Sequence, residues 1–508
     1  MTADSTLMVR RSRTARHVTT RVRSRAVQTV RSLRFAVIGA GMAGILAAIQ
    51  LGEHGYDDVT VFEKGDRVGG TWRENTYPGL ACDVPSQLYS YSFAPNPDWT
   101  HPYAAGPQIQ AYFERVAAER GVTDRVRFGD EVIRAEWSDG EWSIQTAAGH
   151  RDNFDVVIAA TGVLHHPRYP EIDGLDSFAG ACFHSARWDH AVKLDDARVG
   201  VIGTGSTGVQ LITALRDSVR ELVVFQRTAQ WVLPMPNDPF TTDQLARHRD
   251  LDVLREAHAK LSDLFGTFSN AVIDASSPQA EMIASACLDN LERNVVDPDL
   301  RERLRPSYRA ACKRLVASPD FYEAMQAPAT RLVTADIESV EPRGVMTRDG
   351  RRHELDVLVL ATGFHADWFV RPMTVVGRDG VTIDQFWTPR PLAYLSIGVP
   401  GFPNFFMING PNGPVGNFSL IEVAEYQFQY IIQLIDRLAH GASTVEPDLA
   451  FTEAFETERV AASRNSVWVT GCRSWYLDDR GVPATWPWPF DRFQTEMAAP
   501  NWDAYRVE

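Results

Sequence analysis

Apolar positions along this chain gather into short runs separated by glycine turns and by stretches of helical spacing. From Leu33, the run Phe35-Ala-Val-Ile38 leads into glycines and then into apolar residues at Ile45, Ala48, Ile49 and Leu51, the three- and four-residue recurrence of a helix face. Strand, turn and helix are predicted in that order. A second strand, Val59-Thr-Val-Phe62, ends at Glu63 and completes a βαβ unit of the length a dinucleotide-binding fold requires. The same succession returns at Val199-Gly-Val-Ile202, Gly203-Thr-Gly-Ser-Thr-Gly208 and Leu222-Val-Val-Phe225, so two nucleotide sites are encoded. Two other runs resemble each other, Asp155-Val-Val-Ile-Ala-Ala-Thr-Gly162 and Asp356-Val-Leu-Val-Leu-Ala-Thr-Gly363. Each reads as a buried strand ending in Ala-Thr-Gly, and both are expected to return the chain to the first dinucleotide domain. Between about Pro236 and Arg309 the pattern is helical and polar, which predicts an inserted helical subdomain. Beyond Gly401 the chain is rich in aromatic residues, among them Trp468, Trp475, Trp486 and Trp488, with a helix predicted through Glu422–Leu438. The fold class is therefore α/β, with two Rossmann-like dinucleotide-binding domains and a helical insertion.

Composition narrows the function. With 508 residues the chain has room for two or three domains. A formal charge of −14 removes any global attraction for nucleic acid. The five cysteines, Cys82, Cys182, Cys287, Cys312 and Cys472, form no CxxC or Cys/His ligand spacing, so neither a metal site nor a disulfide framework is expected, and a reducing cytoplasm fits best. Runs such as Phe35–Ile38 and Val357–Ala361 are far shorter than the ~20 residues needed to cross a bilayer, so no integral membrane segment is expected. The amino terminus differs from the rest: Arg10, Arg11, Arg13, Arg16, Arg21, Arg23, Arg25, Arg31 and Arg34 accompany a single acid, Asp4. Residues 1–34 are read as a basic, disordered leader, with a transit peptide or a membrane- or nucleic-acid-contacting tail as alternatives.

The glycine turns carry the chemistry. Gly39 allows a tight turn, Gly41 lets backbone N–H groups approach a pyrophosphate, and Gly44 permits close helix–strand packing. Glu63 ends the second strand, where a carboxylate accepts hydrogen bonds from ribose hydroxyls and repels a 2′-phosphate, so this site suits FAD or NAD. At the second site, Gly203, Thr204, Gly205, Ser206 and Gly208 form the turn, and the equivalent strand runs into Arg227-Thr228. A guanidinium there can grip a 2′-phosphate, which selects NADPH. A flavin site followed by an NADPH site also occurs in disulfide reductases, but that chemistry needs a redox cysteine pair close in sequence, and none is present. Oxygen activation is the natural alternative: NADPH reduces FAD, reduced flavin reacts with O₂, and a C4a-peroxide attacks a substrate.

Two longer signatures sharpen this reading. Phe178-Ala-Gly180-Ala-Cys-Phe-His184-Ser-Ala-Arg-Trp188-Asp189 resembles the FxGxxxHxxxW(P/D) fingerprint of type I Baeyer–Villiger monooxygenases and stands just before the second glycine turn, as it does in that family. Gly70-Thr71-Trp72, Tyr77-Pro78-Gly79 and Asp83 resemble a second family signature, and the similarity runs from about Phe35 to Tyr476. The resemblance implies specific roles. Arg314 would be the catalytic cation, Asp83 the carboxylate that orients it and contacts FAD or NADP, and Lys313 a partner of the NADP 2′-phosphate. Gly70, Thr71, Trp72 and Tyr89 would lie on the flavin side, and Trp475 would hold the nicotinamide nucleotide. Phe178, Gly180, His184, Trp188 and Asp189 would link the domains, His184 through structure and dynamics rather than proton transfer. NADP⁺ staying bound would shield the flavin from water. Gly410-Pro-Asn-Gly-Pro-Val-Gly416 and Met325-Gln-Ala-Pro-Ala depart from the family's usual forms, which leaves the substrate open.

The expected organisation is FAD held by 35–165 and 355–508, NADP by 166–235 and 310–354, and a helical insertion at 236–309. The expected reaction inserts an oxygen atom from O₂ beside a ketone carbonyl, through a tetrahedral adduct, giving an ester or lactone. Oxidation of nitrogen or sulfur, and a non-oxygenating NADPH oxidase or redox sensor, are the alternatives. The partners are a small ketone and O₂, and the protein would be a monomer or homodimer.

Overall fold

The structure is a computed structural model that describes residues 31–416 and 418–508. The arginines from Arg10 to Arg25 therefore lie outside the described residues. The end of the expected leader is not loose: Leu33 is buried, Arg31 pairs with Asp155, and Arg34 pairs with Asp152 at 3.0 Å.

Two parallel five-stranded sheets organise the molecule. In the first, the order is Phe405–Met407, Val156–Ala159, Phe35–Ile38, Val59–Glu63 and Val126–Phe128. In the second it is Thr330–Val333, Glu221–Phe225, Arg198–Ile202, Val357–Leu360 and Ala181–His184. The central strands are buried on both faces, which is why they read as unbroken apolar runs rather than alternating ones. Each sheet places its glycine-turn strand in the middle, and each unit carries a small antiparallel meander just before its Ala-Thr-Gly strand. These meanders are Val132–Ser138, Glu141–Thr146 and Arg151–Phe154 in the first unit, and Ile337–Glu341, Gly344–Thr347 and Arg352–Glu354 in the second.

The repetition corrects one expectation. The Val357–Leu360 strand does not return the chain to the first sheet; it pairs in parallel with Arg198–Ile202 in the second. Each Ala-Thr-Gly strand serves the glycine turn of its own unit. A Cβ on Gly39 would stand 2.6 Å from the Ala160 carbonyl oxygen, and one on Gly203 would stand 2.4 Å from that of Ala361. The two strands carry the same local code because they do the same job, and only pairing distinguishes their sheets. The chain rejoins the first unit later, where Thr374–Val376 pairs with Val132–Ser138 and Phe405–Met407 with Val156–Ala159.

The helical insertion contains Thr242–His248, Leu251–Ile273, Pro278–Asn294 and Pro298–Arg303. Side chains of Thr241, Asp250, Ser277 and Asp297 cap these helices, satisfying N–H groups that the first turn leaves free. The predicted carboxy-terminal helix spans Leu420–Ala439. Among the described residues no helix is long and apolar enough to cross a membrane.

The cysteines give a second correction. Cys312 and Cys472 are bonded to each other across a sequence separation of 160, with Cα atoms 6.2 Å apart, while Cys82, Cys182 and Cys287 are free. Spacing along the chain carries no information about a pair that tertiary packing brings together, and the redox argument for a reducing cytoplasm loses its basis.

Helix packing on the second turn yields a test. A Cβ on Gly208 would lie 2.1 Å from the Gly203 carbonyl oxygen, whereas one on Gly205 meets nothing within 4 Å. Gly208→Ala is expected to destabilise the protein by about 2–4 kcal/mol. Gly205→Ala should stay within about 0.5 kcal/mol while weakening NADPH binding. Thermal unfolding checks the pair, and equal shifts would show that this contact does not set the helix position.

Candidate functional site

Both glycine turns open into one cavity of about 1300 Å³, at the carboxyl ends of the sheet strands, where ligands of open α/β sheets bind. The helices that follow the turns, Met42–Glu53 and Ser206–Leu215, begin at Gly41 and Gly205 and have no side-chain cap. The insertion helices are capped, so the free N–H groups and the positive end of the helix dipole are left where an anion can use them. Gly41 and Gly70 face each other so closely that a Cβ on Gly70 would stand 2.9 Å from the Gly41 Cα. No side chain can fill this notch, so the backbone beside it stays open to a ligand. Gly44 and Gly208 do not line the cavity; they pack helix against turn.

Around the first turn, Glu63 is buried and already engaged. Its carboxylate accepts from Ala40 N at 2.9 Å, from Gly65 N at 2.7 Å and from Arg73 Nη1 at 2.6 Å. This fixes its direction and leaves acceptor capacity for a ribose hydroxyl. Thr71 and Trp72, in the short Thr71–Glu74 helix, line the cavity with Tyr89, and Trp72 Nε1 donates to the Tyr89 hydroxyl at 3.1 Å. Burial pushes the Tyr89 phenol above its usual range, so it stays neutral.

Three residues that the sequence reading gave no role have buried oxygens without partners on this cavity. These are Asp130 Oδ1, whose Oδ2 pairs with His150 at 3.0 Å, Asn409 Oδ1, whose backbone N–H donates to Gln427, and Gln226 Oε1, whose Nε2 donates to the Arg303 carbonyl at 2.9 Å. An orphaned acceptor on a cavity wall calls for a donor from a ligand. None of the three is a motif position; each lies just beyond a strand end, and that is the signal that could have singled them out.

Across the cavity stands a cation. Arg314 Nε donates to Asp83 Oδ2 at 2.8 Å and Nη2 to Asp83 Oδ1 at 2.6 Å, a bidentate pair that fixes the guanidinium plane. Their side chains retain 33% and 23% of their exposure, and that open area faces the cavity. Asp83 raises the Arg314 pKa above its usual value, so the cation is permanent. Next to it, Lys313 lies over the Tyr308 ring at 4.9 Å. Burial and the nearby charge of Arg227 lower its pKa. Two cations that repel each other suit a shared dianion. Thr204, at the second turn, donates from its hydroxyl to the Thr228 carbonyl at 3.3 Å. Ser206 begins the helix, and Trp475, an exposed side chain, lines the cavity.

The fingerprint residues take a different place. Phe178, Gly180, His184, Trp188 and Asp189 do not line the cavity. A Cβ on Gly180 would stand 2.3 Å from the Asp356 carbonyl oxygen, at the foot of the Val357–Leu360 strand. His184 is fully buried, its Nδ1 accepts from Ala186 N at 3.1 Å, and burial pushes its pKa down to about 4. It is neutral near pH 7, which fits a structural part. The neighbouring Arg187 reaches Glu74 at 3.2 Å and His190 reaches Thr76 at 2.8 Å, so the segment docks on the one that follows Gly70. That second segment is itself a seam. Tyr77 donates to Gln210 Oε1 at 2.7 Å, Gln210 Nε2 donates to the Ala81 carbonyl at 2.9 Å, and a Cβ on Gly79 would stand 2.6 Å from the Gln210 carbonyl oxygen.

Comparison with known proteins agrees with this geometry. Residues 32–265 match the family described as flavin-binding monooxygenase-like. An uncharacterized monooxygenase of Mycobacterium tuberculosis is 50% identical over 456 residues, covering 89% of this chain and 91% of that protein. A Baeyer–Villiger monooxygenase of Streptomyces coelicolor is 37% identical, covering 94% of this chain and 92% of its own. Among solved structures, cyclohexanone monooxygenase from Rhodococcus bound to NADP⁺ superposes with a TM-score of 0.83 at 29% identity, covering 94% of this chain and 99% of that one. The chain therefore belongs to the Baeyer–Villiger group of flavin-binding monooxygenases, enzymes that work with FAD and NADPH.

Proposed function

We propose that this protein converts a small ketone to an ester or lactone, and that Arg314 is the group that stabilises the charge formed on the carbonyl oxygen. The observation that carries this reading is the bidentate Arg314–Asp83 pair, projecting into a cavity reached by two uncapped helix N-termini. In this reading FAD lies along Gly39, Gly41, Gly70, Thr71 and Trp72, its ribose on Glu63 and its ring side near Tyr89 and Asn409. NADP lies along Gly203, Gly205 and Ser206, with its 2′-phosphate between Arg227, Thr228 and Lys313 and its nicotinamide end toward Trp475. The FAD-binding body is built on the first sheet and its meander, the NADP-binding body on the second.

Bound FAD, reduced by NADPH, supplies one oxygen atom of O₂ in a form that adds to a carbonyl carbon. The chain's own residues do the rest. As that carbon becomes tetrahedral, negative charge grows on the ketone oxygen, and a cation already in place stabilises it without reorganisation. Asp83 occupies the Nε and Nη2 edge of the guanidinium, so the remaining edge is the one presented to substrate. Asp83 is thus a positioning residue for Arg314. The neutral phenol of Tyr89 and the ring of Trp72 keep that wall of the cavity free of competing charge.

Two variants test this. Arg314→Ala should keep FAD content and reduction by NADPH within about threefold, while ester formation from a panel of cyclic, aliphatic and aryl ketones falls by roughly 10²-fold or more. Full ester yield would remove Arg314 from the mechanism, and rapid oxidation of sulfides or amines with no ester would favour heteroatom oxidation. Arg227→Ala should raise KM for NADPH by about tenfold or more and leave that for NADH nearly unchanged. An unaltered NADPH preference in steady-state assays would place the 2′-phosphate elsewhere.

A further inference from the structure

Arg314 is not carried on a strand or a helix. It lies in an irregular stretch between the Pro298–Arg303 helix and the short Val316–Ala317 strand, where Ala311 has a left-handed φ of +63°. The segment that faces it, 470–476, is also without regular structure. The two stretches are joined by Cys312–Cys472, two residues before Arg314 and four before Tyr476. The bond lies in a small apolar cluster with Val272, Ala311, Val467, Trp468 and Tyr476. Tyr476 turns back from this cluster into the site. Its hydroxyl lies so close to Gly416 that a Cβ there would stand 2.0 Å away, and it is near enough to the Arg314 guanidinium for each to shift the other's titration. Arg314 therefore stands between the Asp83 carboxylate, which it grips, and a phenol whose backbone is tied covalently to its own.

We propose that Tyr476 is a positioning residue for Arg314, and that the Cys312–Cys472 bond is a latch that holds the two in register and that a dithiol can open. Without the bond, the 470–476 segment is kept in place only by the small cluster and by a few hydrogen bonds, and Trp475, on the cavity wall, moves with it. Opening is a thiol–disulfide exchange. A dithiol thiolate attacks the Cys472 sulfur, the S–S bond breaks, and the second thiol of the reagent releases Cys472. Two protein thiols form, and the dithiol leaves as its disulfide. Cys472 is itself buried, at 7% exposure, but it is the end nearer solvent, flanked by the exposed Gly471 and Arg473, whereas Cys312 is fully buried.

Because this latch rests on the role proposed for Arg314, its test has arms that do not depend on turnover. The full-length, FAD-loaded protein, denatured without reductant, should show the three thiols of Cys82, Cys182 and Cys287 and gain two after dithiothreitol. Five thiols before reduction would overturn the latch. Limited trypsinolysis at Arg473 should be at least about threefold faster in the reduced protein than in the oxidised one, and equal rates would also overturn it. The activity arm measures ester formed per NADPH consumed. Dithiothreitol should lower this ratio by about threefold or more in the natural protein and leave a Cys312→Ser/Cys472→Ser variant, already low, unchanged. Tyr476→Phe, with the disulfide intact, should lower the same ratio while KM for NADPH stays within about twofold, a split that simple loosening of the nucleotide site would not give. Coupling equal to that of the natural protein would remove Tyr476 from the positioning role. If Arg314→Ala still forms ester while thiol count and proteolysis behave as described, the reading of Arg314 fails and the latch stands; the reverse pattern removes the latch alone.

Discussion

A guanidinium and a carboxylate, 231 residues apart in the chain, meet at 2.6 and 2.8 Å where the two dinucleotide units face each other. Taking either charge from water is unfavourable, and the attraction between them compensates only if the geometry holds. Both partners therefore need rigid support. Asp83 follows the Tyr77–Gly79 segment, whose hydroxyl and glycine are fitted to the Ser206–Leu215 helix of the other unit. Arg314 is anchored by the disulfide on its amino-terminal side and by the Val316–Ala317 strand, paired with Val232–Leu233, on the other. The same contacts that hold the units together thus aim the cation.

The second constraint is backbone approach. In each unit the first glycine of the turn abuts the alanine carbonyl of an Ala-Thr-Gly strand, and the third abuts the carbonyl of the first. These contacts pull the helix N-terminus down onto the strand ends and leave its N–H groups exposed to the cavity. The fold makes this arrangement twice, meander included. What differs is the end of the second strand of each unit: a buried and hydrogen-bonded Glu63 closes it in one, and a buried Gln226 followed by an exposed Arg227 comes just beyond it in the other.

Both long signatures contain a seam, and the second also lines the cavity through Gly70, Thr71, Trp72 and Asp83. One docks through Arg187 and His190 on the segment after Gly70, and the other docks on the Ser206–Leu215 helix. His184, buried and neutral, sits in the edge strand of the second sheet. Signatures of this kind act on chemistry by keeping two bodies in one relation, so a side chain far from the cavity can govern what happens in it.

Where the relevant physics is local, the amino-acid sequence alone determined the outcome. Both βαβ units, the helical insertion, the Leu420–Ala439 helix and the contrast between Glu63 and Arg227 follow from periodicity, glycine spacing and the residue at a strand end, all set within a few dozen residues. Where the physics is a meeting of distant segments, only tertiary structure decided it. Two Ala-Thr-Gly strands with one local code were sorted into different sheets by the partners they pair with. Cys312 and Cys472 became a bond because packing brought their Cα atoms to 6.2 Å. Asp130 and Asn409 gained orphaned oxygens on the cavity because of where their strands end in space. Composition and spacing report what a residue can do, whereas burial and direction, which give it a partner, exist only once the chain has closed on itself.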